Sequence, residues 1–271
     1  MKDKKITIIG AGNMGGAIAR GLIQNKIISG KSITTSDPSS EKLREVEKFG
    51  VRISSDNKKS IQGADIIILA VKPNIVPVVL SETKESLSKR QLVVSIAAGV
   101  EIKTISRLIG GKQPIIRVMP NLCATVGMSV SCWVASREVP ESDRKLIKRI
   151  LVGLGREYFI DDENLLDKIT AISGSGPAYV FYLVELLETA ARKLGLKNEL
   201  ARILAVQTVI GSAELLKNST KSAGELRAAV TSKGGVTESI FAVLKKLKFG
   251  DVFLKAIRAG AKRAKELRLL H

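Results

Sequence analysis

Histidine is almost absent: the one histidine in 271 residues is His271, the last residue. This excludes an internal imidazole base, and with it Ser–His–Asp hydrolysis, His-ligated zinc and the His-dependent hydroxyacid dehydrogenases. No metal is expected. Cysteine is scarce too, with only Cys123 and Cys132. Two are too few for a disulfide framework and their spacing fits no metal motif, so they read as free thiols of a reducing compartment. Proline is rare (7) beside glycine (23), so the glycines must serve particular turns and close approaches. No apolar run has the ~20 residues that a membrane span needs. The best candidate, from Ala178 onward, meets Glu185 and Glu188. The apolar stretch Ile6–Ile9 is too short for a signal peptide. The expectation is a cytoplasmic protein with no membrane partner.

Hydrophobic residues make up 45% and charged residues 26%, enough apolar material for one large domain or two modest ones. The net charge is +18, divided as +9 over residues 1–163 and +9 over 164–271. An even spread is not a basic tail. No zinc-finger, RNP or basic-zipper pattern accompanies it, so no nucleic-acid partner is expected, and anionic small molecules suit the charge better.

Short β-rich runs alternate with helical spacing through the first half. Strands are read at Ile6–Ile9, Ile33–Ser36, Val51–Ile53, Ala64–Val71, Leu92–Ile96 and Ile115–Val118. Helices are read at Gly15–Gln24 and Ser40–Phe49, with others between the later strands. This alternation predicts an α/β fold with a parallel sheet covered by helices on both faces. From Leu165 onward only helical periodicity remains: 178–194, 198–217, 222–229, 237–247 and 252–269. The boundary is placed near residue 163, giving domains 1–163 and 164–271.

The segment Gly10-Ala11-Gly12-Asn13-Met14-Gly15 directly follows a strand and opens a helix, the context in which a GxGxxG pattern cradles a dinucleotide pyrophosphate. Asp37 ends the second strand 22 residues after Gly15, where a carboxylate can bond an adenosine ribose. Ser36-Asp37-Pro38-Ser39 also reads as turn and cap chemistry. Asn57 is a second ribose or adenine candidate, or ordinary loop polarity. Further strand ends carry small or polar residues: Ala70-Val71-Lys72-Pro73, Ala97-Ala98-Gly99, and Asn121 after Met119-Pro120. Several such ends on one sheet describe a crevice. In the second half, Ser173–Ala178 and Val230–Thr237 read either as donor-rich helix starts suited to a carboxylate or as two capped helices with glycine linkers.

Taken in order, Gly10–Gly16, Ala70–Pro73, Ala97–Gly99, Met119–Asn121, Ser173–Ala178 and Thr231–Thr237 resemble the pyrroline-5-carboxylate reductases over essentially the whole chain. The Ser-Gly-Ser-Gly-Pro-Ala run and the later Gly-Gly segment are the specific part. The resemblance implies an N-terminal Rossmann-type doubly wound sheet followed by an all-helical dimerisation domain. It implies reduction of 1-pyrroline-5-carboxylate to L-proline by hydride from NADPH or NADH, in a homodimer that can assemble into a larger ring. Gly10, Ala11, Gly12, Asn13, Met14, Gly15, Ser36, Asp37, Asn57, Ala70, Val71, Lys72, Pro73, Ala97, Ala98, Gly99 and Asn121 would then face the cofactor. Thr237 would serve the imine nitrogen, Ser232, Gly234, Gly235 and Val236 the substrate carboxylate, and Ser175 and Pro177 the opposite wall. Two positions depart from the family's usual proline: Lys233, within Ser232–Gly235, and Cys123, after Met119–Asn121. A β-hydroxyacid reductase is disfavoured, since Pro177–Leu194 carries only Lys193, at its far end.

Overall fold

In a computed structural model, which describes residues 4–111 and 113–269, the chain forms one eight-stranded sheet and twelve α-helices among the described residues. His271 lies outside them. The strands are β1 (Ile6–Ile9), β2 (Ile33–Ser36), β3 (Arg52–Ser54), β4 (Ile66–Leu69), β5 (Leu92–Ser95), β6 (Ile115–Met119), β7 (Ser129–Ala135) and β8 (Gly155–Phe159). The first seven helices are α1 (Asn13–Gln24), α2 (Ser40–Glu47), α3 (Asn57–Ser60), α4 (Val76–Thr83), α5 (Ile102–Ile109), α6 (Glu141–Val152) and α7 (Leu165–Ile169). The remaining five are α8 (Gly176–Lys193), α9 (Asn198–Asn218), α10 (Ala223–Ala229), α11 (Val236–Lys246) and α12 (Phe249–Leu269).

The sheet order is β3-β2-β1-β4-β5-β6-β7-β8. Every pairing is parallel except β6 with β7. Alternate residues serve the two faces. Ile6, Ile8, Ile66 and Ile68 join a core with Ile18 and Leu22 of α1 and Ile147 of α6. Ile9, Ile67 and Leu69 join a second core with Val79 of α4 and Ile105 of α5. Burial on both faces is why these strands read as unbroken apolar runs rather than alternating ones.

Two strands escape the sequence reading, and with them the antiparallel step. Buried Ser129 and Ser131 blur the pattern of β7, while β8 is a half-exposed edge containing Arg156 and Glu157. A short turn, Leu122–Val126, joins β6 to β7 in place of a crossover helix, so the chain must reverse.

The described chain divides into two compact units, one of residues up to Ser175 plus those from Gly260 onward, the other Gly176–Ala259. The segment before α8, read as a helix start with a glycine linker, is itself helical. Thr170–Gly174 forms a wide π-type turn, with the Ser175 amide donating to the Thr170 carbonyl at 2.9 Å. In the second unit α8 and α9 pack together, and Tyr179 meets Phe253 edge to face at 5.9 Å. Large apolar side chains such as Phe181, Leu215 and Val236 stay exposed.

Arg117 of β6 is 2% exposed. Its guanidinium donates to Glu163 at 2.8 Å and lies 3.9 Å from Asp167. Deleting the cation strips Glu163 of its ion pair and leaves Asp167 with Arg268 alone, a loss that approaches the ~3–5 kcal/mol of breaking a buried pair. Arg117→Leu should therefore lower the urea unfolding midpoint of the first unit strongly. An unchanged midpoint would mean that Glu163 and Asp167 are balanced by other groups.

Candidate active site at the carboxyl edge of the sheet

Register gathers the proposed cofactor residues. Ile9 of β1 stands opposite Ser36 of β2 and Leu69 of β4, Leu69 opposite Ser95 of β5, and Ser95 opposite Arg117 of β6. The residues that follow, from Gly10, Asp37, Ala70, Ile96 and Pro120, therefore leave the sheet along one edge. Strand order reverses between β1 and β4, the switch point where ligands of such sheets bind.

At that point the backbone approach is tight. A Cβ on Gly15 would collide with the Gly10 carbonyl and lie 3.3 Å from the Ala70 side chain. Gly12 differs: a Cβ there would meet nothing within 4 Å. Gly12 is the N-cap of α1, with no side chain capping it and no acidic residue in the first turn. Open space over a helix N-terminus free of acids is what a pyrophosphate requires. A groove of about 330 Å³ runs beside it, walled by Gly12, Asn13, Arg20, Lys42 and Thr125. A dinucleotide therefore fits these residues.

The polar side chains singled out from sequence are mostly engaged within the protein. Asp37 is 7% exposed, and its two oxygens accept from the Ala11 and Ser39 amides, each at 2.9 Å. It ties the glycine loop to the second strand end, and Lys42 stands 4.0 Å away. Ser36 is fully buried and donates to Asn57 Oδ1 at 2.7 Å, while Asn57 Nδ2 donates to Glu82 at 2.8 Å. Asn121 caps the following turn through the Cys123 amide and donates to the Ser173 carbonyl at 3.1 Å. Lys72 is exposed at the end of β4, and Pro73 opens a short 3-10 turn with Val71 just before it. Ala97 is buried, its amide held by Ser95 Oγ at 3.3 Å, and Ala98 and Gly99 follow. Met14 lies in the first turn of α1.

In the helical unit, Gly235 caps α11, and Val236 and Thr237 form its first turn. Val236 is exposed and Thr237 half-buried. The Gly235 amide donates to the Ser232 carbonyl at 3.0 Å. The Gly234 amide is not open: it donates to the Glu238 carboxylate at 2.7 Å. Pro177 is buried near the start of α8, next to Gly176, and Ser175 closes the π-type turn. Each of these groups has its place in its own unit.

Sequence reasoning missed Lys42, Glu238 and Arg268. Lys42 reads as one of many surface lysines, and only the fold sets it beside Asp37. Cys132 is buried, and burial followed by the nearby Glu157 pushes its thiol above the usual range, so it is an inert core group. Among the described residues no cluster of metal-ligating side chains occurs, and no helix is long and apolar enough to cross a membrane.

Comparison with known proteins bears on this edge and on the helical unit. Residues 163–267 match the family described as pyrroline-5-carboxylate reductase dimerisation, and residues 5–99 match NADP oxidoreductase coenzyme F420-dependent. The chain is 35% identical to pyrroline-5-carboxylate reductase 1 of Bacillus spizizenii over 98% of its own length and 90% of that protein's. Among solved structures, a pyrroline-5-carboxylate reductase of Coxiella burnetii is 37% identical, with a TM-score of 0.86, covering 97% of this chain and 98% of that one. The Plasmodium falciparum pyrroline carboxylate reductase with NADP bound is 32% identical, with a TM-score of 0.91, covering 99% of both chains. With its strand-end crevice, its open helix N-terminus and this full-length similarity, the chain belongs to the pyrroline-5-carboxylate reductase family.

Proposed function

We propose that this protein reduces 1-pyrroline-5-carboxylate to L-proline, with NADPH as the preferred hydride source. The observation that carries the reading is full-length family membership together with the crevice at the switch point. The reduced nicotinamide supplies the hydride that adds to the C=N carbon. Gly12 and the first turn of α1 hold the pyrophosphate through backbone N–H groups. Ala97, Ala98 and Gly99 offer a small-residue wall against which a flat ring can lie. Ala70–Pro73 and Asn121 complete the edge, mostly through backbone and shape.

Thr237 hydrogen-bonds the imine nitrogen and orients it. A neutral hydroxyl is a weak acid, so the proton gained by nitrogen comes from solvent by way of that hydroxyl. Ser232, Gly234, Gly235 and the Val236 amide hold the substrate carboxylate, which takes over the Gly234 amide from Glu238. Ser175 and Pro177 shape the opposite wall. Alignment of two bound reactants supplies much of the acceleration, and no internal histidine or metal is called for.

The cofactor preference rests on Asp37 and Lys42. Asp37 faces backbone amides rather than the crevice, so it acts as a turn residue. Lys42, exposed beside it, fits a 2′-phosphate. We keep the functional boundary at residue 163, a reading supported by the start of the dimerisation match and the end of the strands, while the compact units of the fold divide after Ser175 and before Gly260. The exposed apolar side chains of the helical unit are covered by a second copy, and dimers of this kind can build a ring. We place the enzyme in the cytoplasm, where reduced nucleotide is at hand, acting on a small molecule and neither on nucleic acid nor at a membrane.

The decisive experiment follows absorbance of the reduced nicotinamide with the imine and either cofactor in parallel. Imine-dependent decay that is faster with NADPH is expected, and no decay with either would refute the reading. Thr237→Ala should lower kcat about 10²-fold while NADPH affinity holds. Lys42→Ala should raise the KM for NADPH roughly fivefold, the effect of about one lost hydrogen bond, and leave that for NADH unchanged.

A further inference from the structure

The chain leaves the first compact unit after Ser175 and returns to it at Gly260. Both of these flanking segments are fastened to one short stretch of the sheet's carboxyl edge, residues 97–102. On the outgoing side, Glu163 Oε1 accepts from the Ile102 amide at 2.9 Å while also holding Arg117 at 2.8 Å. On the returning side, the last turn of α12 lies directly on Gly99. Gly99 has φ +75°, and a Cβ there would stand 3.0 Å from the Arg268 nitrogen and 3.2 Å from the Leu267 Cβ.

Arg268 fastens that turn. Its side chain is 13% exposed, and its Nε is 3.4 Å from Glu101 and 3.3 Å from Asp167. The guanidinium also donates to Asn164 Oδ1. The buried Nε itself makes no aligned hydrogen bond, so the grip comes from charge and from the Asn164 contact. Asp167 is shared with Arg117, which makes one partly buried assembly of two guanidinia and three carboxylates: Glu101, Glu163 and Asp167. The loop it grips has no large side chain of its own between Ala97 and Gly99 with which to hold its shape.

We propose that Arg268 is a positioning residue of the reaction: by pinning the last turn of α12 on Gly99 and Glu101, it sets the Ala97–Gly99 wall and so the placement of the nicotinamide ring. This rests on the reading of the chain as a nicotinamide-dependent reductase. The small residues of the wall make it accommodating to a flat ring, and the C-terminal helix makes it rigid. A shift of about 1 Å in a reacting group can cost 10²-fold in rate, so a loosened wall should be visible in kinetics.

The test compares the full-length enzyme with Arg268→Met, Arg268→Lys and Glu101→Gln. The readouts are KM and kcat for each substrate, and the primary deuterium isotope effect with NADPH deuterated at the transferring position. Fluorescence titration of NADPH without the imine and thermal unfolding complete the set. In Arg268→Met, kcat/KM for NADPH should fall about tenfold or more and the isotope effect should rise as transfer slows. The KM for the imine should change least. Arg268→Lys should recover part of the loss. A lowered Tm with kinetic constants, isotope effect and NADPH affinity all like those of wild type would reduce Arg268 to a structural brace and overturn the proposal.

Should Arg268→Met fail to fold, Glu101→Gln decides, because it removes one arm and leaves Asp167 facing the cation. A change in the same direction supports the proposal and wild-type behaviour refutes it. Failure of the proposed reaction would show differently, as a wild-type enzyme that binds NADPH without oxidising it. The titration would then judge Arg268 alone: weaker NADPH binding in Arg268→Met supports it, and unchanged binding refutes it.

Discussion

A guanidinium shut away from water organises the first compact unit around the segments that flank the helical one. Arg117 sits on β6 with 2% of its surface exposed, and a charge so placed must be answered by carboxylates brought to it. Glu163 and Asp167 answer it from the segment that leaves the sheet, and Asp167 in turn faces Arg268 at the end of the last helix. One buried charge thus fixes the places where the chain departs from and returns to the first unit. Glu163 passes the constraint to the Ile102 amide, directly after the loop proposed for the nicotinamide.

The crevice itself is made mainly of backbone. Parallel register brings five strand ends to one edge, and the small residues there leave room for a ligand. The polar side chains in between, Ser36, Asp37, Asn57 and Asn121, hold one another and nearby amides. They set the shape of the edge, and the open end of α1 offers its charge. Such a site suits a chemistry in which the cofactor carries out the bond change and the protein supplies position. It also accords with a chain whose one histidine stands at its very end.

The helical unit follows a different rule. Helix α11 is amphipathic, and Phe181, Leu215 and Val236 of this unit remain in the open. A helix face of this kind gains stability by burial against another surface, and the family match over residues 163–267 is to a dimerisation family. These uncovered faces and that match are what support the proposed second copy as the cover of this half of the chain.

Much of this was legible in the amino-acid order alone. The apolar runs Ile6–Ile9 and Ala64–Val71, the GxGxxG turn between strand and helix, and the purely helical periodicity from Leu165 onward define a doubly wound sheet with a helical second half, because period and glycine placement are local properties. Local rules did not reach β7 and β8, whose serines and charges hide a strand that only pairing stabilises, nor the antiparallel turn between β6 and β7. Asp37 shows the same limit. Its position allowed a ribose contact or a turn, and the structure turns its oxygens to the Ala11 and Ser39 amides. Arg268 is the extreme case. In sequence it is one cation among several on a basic helix, and only tertiary packing, which brings residues 99, 101, 164, 167 and 268 together, makes it a clamp. Sequence determines what can be decided within a turn or a strand; contacts across long stretches of chain belong to the fold, because burial and charge pairing depend on neighbours that the local order does not name.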